Sequence, residues 1–245
     1  MIGAARVAIG FLTRLPAGRP ERVLTAAELS RAAAWFPAVG LFVGGVMGGT
    51  RALAGLVLQP APATALAVVA AMLVTGALHE DGLADTADAI GAHASRQRKL
   101  EILRDSRVGT YGALATVVAV VLPVVTLAPL SAAEVLRAAL AAHVLGRWST
   151  LPLSRLRPAR PSGSGALVTA GRPALIAGSL IAVAVAGLAA GLGAGAATVA
   201  VAATVTALGG WTALRALGGV NGDTFGAVNK CVELATYLTL AAWWG

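Results

Sequence analysis

The chain has 245 residues, of which 57% are hydrophobic and only 12% charged, and its mean hydropathy is +0.79. Soluble domains carry about 25% charge, so these values exclude an ordinary soluble globule and point to one polytopic integral-membrane domain, residues 1–245. The net charge of +8 does not call for nucleic acid, because membrane proteins keep arginines in cytoplasmic loops.

The first residues, MIGAARVAIGFLTRLP, hold an apolar stretch too short for a span and lack a small-residue cleavage site. A cleaved signal peptide is not expected there. Apolar stretches of about 20 residues then fall at roughly 35–58, 62–79, 108–129, 133–150, 173–191, 196–214 and 225–244. The expected architecture is an all-α bundle of about seven transmembrane helices. In the first span Gly40, Gly44 and Gly48 recur at four-residue spacing, as do Gly187, Gly191 and Gly195 further on. Small residues on one helical stripe let backbones approach closely, so both sets read as helix-packing stripes. The single cysteine, Cys231, reads as a small apolar filler in the last span.

The loops alternate in charge. Those near 59–62 and 192–195 have none, and the one near 129–133 has only Glu134 beside it. Basic residues concentrate at 14–31 (Arg14, Arg19, Arg22, Arg31), 80–107 (Arg96, Arg98, Lys99, Arg104, Arg107) and 155–172 (Arg155, Arg157, Arg160, Arg172). The positive-inside rule puts this set in the cytoplasm, with the amino terminus inside and the carboxyl terminus outside. Trp243 and Trp244 suit an interfacial belt on the outer side. Arg51, Arg137 and His143 read as packing or interface residues, so an enzyme at the cytoplasmic surface of a cell membrane fits better than a transporter with mid-membrane charges.

The stretch HEDGLADTADAIG at 79–91 holds Glu80, Asp81, Asp85 and Asp88, four of the eleven carboxylates in the chain. If the helix of the second span runs on through it, each residue advances about 100°, which places Asp85 about 40° and Asp88 about 20° from Asp81. Glu80 falls about 100° away and His79 nearly opposite. Like charges so spaced repel, and a hard divalent cation, with Mg²⁺ the economical choice, would offset this. Gly82 weakens a helix here and leaves room for a ligand. The alternative is a solvated acidic loop.

Two more polar stretches share the predicted face. LRDSRVGTYG (103–112) offers Arg104 and Arg107 for phosphate and Asp105 as a ligand or orienting group. VNGDTFGAVNKCVEL (220–234) brings Asn221 and Asp223 to the mouth of the last span, with Asn229 and Glu233 facing the bundle interior. Arg147 is placed to join them from the fourth span, with His143 one turn away. Carboxylates and arginines on one face suggest Mg²⁺-assisted phosphoryl transfer.

FLTRLP, WFPAVGLFVG, HEDGLADTADAIG, RDSRVGTYG, GRWS and NGDTFGA together resemble the cobalamin synthase family, the adenosylcobinamide-GDP ribazoletransferases. The resemblance implies a multi-pass, Mg²⁺-dependent enzyme that joins adenosylcobinamide-GDP to α-ribazole, or its 5′-phosphate, and releases GMP. It implies a metal set of Glu80, Asp81, Asp85 and Asp88, and phosphate or substrate contacts from Arg104, Arg107, Arg147, Asn221 and Asp223. Asp88 and Asp105 are its candidates for the group that takes the hydroxyl proton. Its partners would be these two substrates and the bilayer; a homo-oligomer is left open. The chain departs from the family pattern at Lys230, where a glutamate is common, which leaves Glu233 or Asn229 to serve there. A CDP-alcohol phosphotransferase of lipid synthesis is the competing reading, but Asp81-Gly82 is followed by Leu83-Ala84-Asp85 without the arginine of that pattern.

Overall fold

A computed structural model describes residues 2–17, 24–160 and 168–245, which leaves the predicted loop residues Arg19 and Arg22 outside the described residues. The amino-terminal helices are α1 (Ile2–Leu12), α2 (Ala26–Ala32) and, after a 3₁₀ turn, α3 (Phe36–Ala54). They are followed by α4 (Pro60–Thr75), α5 (Leu78–Gly91), α6 (Arg96–Ile102), α7 (Thr110–Leu127) and α8 (Ala132–Leu153). The last three are α9 (Arg172–Ala190), α10 (Leu192–Ala216) and α11 (Gly222–Trp244). No strand occurs among the described residues beyond one isolated bridge, Pro158 to Val220.

Local sequence explains most helix starts. Thr25 with Glu28 and Ser131 with Glu134 form reciprocal capping boxes, and Asn221 caps α11 by accepting from Thr224 N–H at 3.0 Å. Pro60 opens α4, where a missing N–H costs nothing.

Each of the seven apolar stretches is helical. Four segments are long and apolar enough to cross a membrane, or five if the bent pair α4–α5 counts as one span. Helices α8 and α11 fall short because His143, Arg147, Asn229, Lys230 and Glu233 lower their apolar content, and these residues are buried inside the bundle. The second span does not run on into the acidic stretch as the sequence suggested. Gly76 (φ 65°) and Ala77 (φ 56°) are both left-handed, and α5 leaves at 89° to α4. Gly76 takes this conformation freely, whereas for Ala77 it costs about 1–2 kcal/mol. The bend lays α5 across the end of the bundle.

The first glycine stripe packs α3 against α8. A Cβ on Gly44 would sit 2.6 Å from the Ala139 carbonyl oxygen, and one on Gly48 would meet Leu136. The second stripe is not a stripe on one helix: Gly191 (φ 84°) is the break between α9 and α10, and only Gly195 meets a neighbouring backbone, at Ala186 and Gly187. Cys231 is exposed on the outside of α11 and does not fill the core.

The two ends of the bundle differ in chemistry. At one end Arg137 lies over the Trp244 ring, 4.9 Å from its centroid, and its Nε donates to the Ala189 carbonyl. At the other end the loops are tied together: Ala159 N–H donates to Val220 O (2.8 Å), Arg96 Nε to Leu217 O (2.7 Å), and Arg14 N–H to Val74 O (2.8 Å). The predicted basic loops, as far as they are described, therefore gather at the end across which α5 lies.

Gly44→Ala should destabilise the detergent-solubilised protein by about 1–3 kcal/mol, since backbone atoms must shift. Gly45→Ala, where a Cβ meets nothing within 4 Å, should be neutral or stabilising by up to about 1 kcal/mol. Thermal unfolding of the two variants side by side checks the pair.

Candidate active site

Helix α5 divides its carboxylates between two faces. Glu80 points inward, is 5% exposed, and its Oε1 lies 2.8 Å from Lys230 Nζ. Lys230 also donates to Glu233 Oε2 at 2.6 Å, so one ammonium joins α5 to α11 through two carboxylates. Glu233 Oε1 accepts from Arg147 and lies 2.7 Å from His143 Nδ1, which brings in α8. Gly146 of the GRWS motif lets α8 approach this close, because a Cβ there would stand 2.8 Å from Asn229 Oδ1. The sequence grouped Arg147, His143, Asn229 and Glu233 correctly as interior neighbours. It did not see that Lys230 completes the group, nor that Glu80 belongs to it.

The other face of α5 carries Asp81, Asp85 and Asp88, as the 100° rotation requires. Asp223 joins them from the first turn of α11. Its place is set by a backbone contact: a Cβ on Gly82 would sit 2.8 Å from Asp223 O, and one on Gly226 would sit 3.3 Å from His79 Cα. Gly82 therefore makes room for α11 and not, as the sequence suggested, for a ligand. Asn221 Nδ2 donates to Asp223 Oδ2 at 2.7 Å and orients that carboxylate.

These aspartates repel one another. Burial first, then the charges of Asp81, Asp223 and Asp88, push the Asp85 carboxyl up to about 6. Asp223 lies in the field of Asp81 and, with the opposite sign, of Arg160. Among the described residues none of Asp81, Asp85, Asp88 and Asp223 has an ion-pair partner, and no three His, Cys, Asp or Glu side chains stand close enough to enclose an ion. An all-oxygen, uncompensated set of this kind suits a Mg²⁺ held by one or two carboxylates and completed by substrate phosphates and water. It does not suit a closed protein cage.

Asp88 has a definite structural task. Its Oδ2 accepts from Gly109 N–H at 2.7 Å and its Oδ1 from Gly112 N–H at 2.8 Å. It thus caps α7 from a neighbouring helix, and the two glycines of RVGTYG leave the space it needs. Asp105 is taken up by Arg107, whose Nε and Nη2 donate to it at 2.9 and 2.7 Å and hold its carboxyl well below the usual range. Arg104 and Arg107 are exposed. Arg147, expected at the substrate, is 1% exposed and committed to Glu233 and His143, so it is not brought to the aspartate face.

Sequence reading gave Arg160 no role beyond its basic loop. It lies within electrostatic reach of both Arg104 and Asp223, and burial followed by the Arg104 charge lowers its pKa from the ordinary arginine value. The bridge between Pro158 and Val220 brings it there, a pairing of distant loops that no local signal announces.

The family described as Cobalamin-5-phosphate synthase matches residues 4–241. An adenosylcobinamide-GDP ribazoletransferase of Azorhizobium caulinodans is 41% identical over 252 residues, covering 96% of this chain and 92% of that protein. Proteins of the same name from Bradyrhizobium diazoefficiens and Klebsiella pneumoniae are 38% and 37% identical, covering 99% and 98% of this chain and 94% and 100% of theirs. No solved structure matches the chain.

Lys230→Met should cost about 3–5 kcal/mol in thermal unfolding, because Glu80 and Glu233 lose their buried partner. Adding Glu80→Gln to that variant should recover part of the loss. A second test uses pH. In chelator-treated protein the folded state holds a proton on Asp85 between the ordinary aspartate range and about 6, and the unfolded chain has released it. Stability from this group is therefore lost as pH rises through that window. Melting temperature against pH should slope less steeply in Asp85→Asn than in the parent.

Proposed function

The chain belongs to the Cobalamin-5-phosphate synthase family, and we propose that it transfers the adenosylcobinamide phosphoryl group from adenosylcobinamide-GDP to α-ribazole or its 5′-phosphate. The ribose 3′-hydroxyl oxygen attacks the phosphorus attached to the cobinamide aminopropanol. The bond from that phosphorus to the oxygen of the departing GMP breaks, the hydroxyl proton is released, and a phosphodiester remains. The observation that carries this reading is the row Asp81, Asp85 and Asp88 on one face of α5, joined by Asp223 from α11, with no ion pair to any of them among the described residues.

In this reading Asp81, Asp85 and Asp223 would hold Mg²⁺, which supplies charge neutralisation on the diphosphate when bound. Arg104, Arg107 and Arg160 lie on the same rim and are suited to the phosphates of the leaving nucleotide. Asp88 retains a free lone pair on each oxygen, since each accepts one backbone N–H, but its first task is to hold α7 against α5. Asp105 is a weak base because Arg107 stabilises its charged form. With Asp81, Asp85 and Asp223 assigned to the metal, the hydroxyl proton goes to a free lone pair of Asp88 or directly to water.

The seven long helices α3, α4, α7, α8, α9, α10 and α11 would each cross the membrane, with α5 and the basic loops on the cytoplasmic side, as loop charge suggests. A cysteine introduced at position 245 should then react with an impermeant thiol reagent from outside the cell. Labelling only after lysis would overturn this orientation.

Protein purified in lipid should release GMP from adenosylcobinamide-GDP when α-ribazole and Mg²⁺ are supplied, and stop when the metal is chelated. Asp85→Asn should lose at least about a hundredfold in turnover while still inserting in the membrane. Parent-like turnover by that variant would remove Asp85 from the site.

A further inference from the structure

A cavity of about 270 Å³ opens beside the aspartate face, between the end of α1, the start of α3 and the first turns of α5 and α11. Phe11 and Phe36 form one wall, stacked on each other at 5.9 Å and 10°. Phe225 contributes a further aromatic surface, and Asp81 and Asp223 line the same cavity. The lining is therefore largely aromatic and aliphatic, with the proposed metal carboxylates at one side.

Two further polar groups line this space. The Thr150 side chain, 8% exposed, has no hydrogen-bond partner among the described residues. In this chain Thr64, Thr75, Thr116 and Thr206 hydroxyls donate to the carbonyl four residues before them; Thr86, Thr150 and Thr236 have no such bond, and of these three Thr150 lines this cavity. His79, 5% exposed, lies between this cavity and the interior group of Arg147, His143, Lys230 and Glu233, and its ring has no hydrogen-bond partner among the described residues. A hydroxyl and an imidazole that reach a cavity without a protein partner are free to donate to a ligand placed there.

We infer that this cavity is the subsite for the fused aromatic base of α-ribazole, with Thr150 and His79 as the donors for its unsubstituted ring nitrogen. The inference rests on the reading that α-ribazole is the acceptor. A dimethylated benzimidazole is flat and apolar apart from that one nitrogen, which matches three phenylalanines and a small number of donors. The guanine of the other substrate does not match, because its polar edge would bury several donors and acceptors against aromatic carbon. With the base in the cavity, the ribose lies towards Asp81 and Asp223, where the 3′-hydroxyl is needed.

The test measures both Michaelis constants and, independently of turnover, the binding of α-ribazole by calorimetry. Phe11→Ala should raise the KM and Kd for α-ribazole about tenfold or more and leave the KM for adenosylcobinamide-GDP unchanged. Thr150→Val is nearly isosteric, and His79→Leu removes the ring nitrogens at similar volume. They should remove the parent's preference for α-ribazole over the riboside in which that ring nitrogen is replaced by CH. A rise confined to the KM of adenosylcobinamide-GDP, or unchanged α-ribazole binding in all three variants, would overturn the assignment. If the parent protein binds α-ribazole and the variants do not, the pocket stands even where GMP release fails. GMP release by the parent with variant binding unchanged sinks the pocket alone.

Discussion

One buried ammonium fixes how the acidic helix is rolled. Lys230 Nζ sits between Glu80 of α5 and Glu233 of α11, and Glu233 in turn engages Arg147 and His143 of α8. Formal charges of two carboxylates and two cations balance in a region with little water to solvate them. An imbalance there would leave a bare charge, which is why the pairing is held in one register. Once Glu80 is drawn inward, the helical rotation sends Asp81, Asp85 and Asp88 to a face about 80–140° away from it.

That roll acts together with two backbone features. The left-handed pair Gly76–Ala77 turns α5 across the bundle end, with strain at Ala77 next to the residues that carry the chemistry. Gly82 and Gly226 then let the helices touch backbone to backbone, which brings Asp223 to the aspartate row. The same economy holds at Asp88, where glycines 109 and 112 allow a carboxylate to cap α7. Of the four acidic residues in 79–91, one anchors the interior and one anchors a neighbouring helix. Two are left open to a ligand.

The interior charges also explain a quirk of hydropathy. Helices α8 and α11, 22 and 23 residues long, pack against many of the other helices, yet they are not apolar enough to count as spans. His143, Arg147, Lys230 and Glu233 pair with one another across α8 and α11, so the lipid need not solvate these charges. Hydropathy averaged along a helix cannot register that pairing.

Composition alone determined the class of protein, because burying so few charges in so apolar a chain leaves no soluble solution. Helix positions followed from apolar length and caps, the rotation of Asp81, Asp85 and Asp88 from helix geometry, and the interior group around Glu233 from polar residues entering an apolar helix. The family motifs carried the reaction. Tertiary structure decided the rest. It separated Glu80 from the other carboxylates and gave Lys230 a partner on each side. It withdrew Arg147 from the substrate face, brought Arg160 to Asp223, and opened an aromatic cavity beside the aspartates. Each of these depends on which helices meet and at what angle, through residues up to 214 positions apart in sequence (Phe11 and Phe225 of the cavity). Periodicity reports the face of one helix; the neighbour that face will meet is set by the packing of the whole chain.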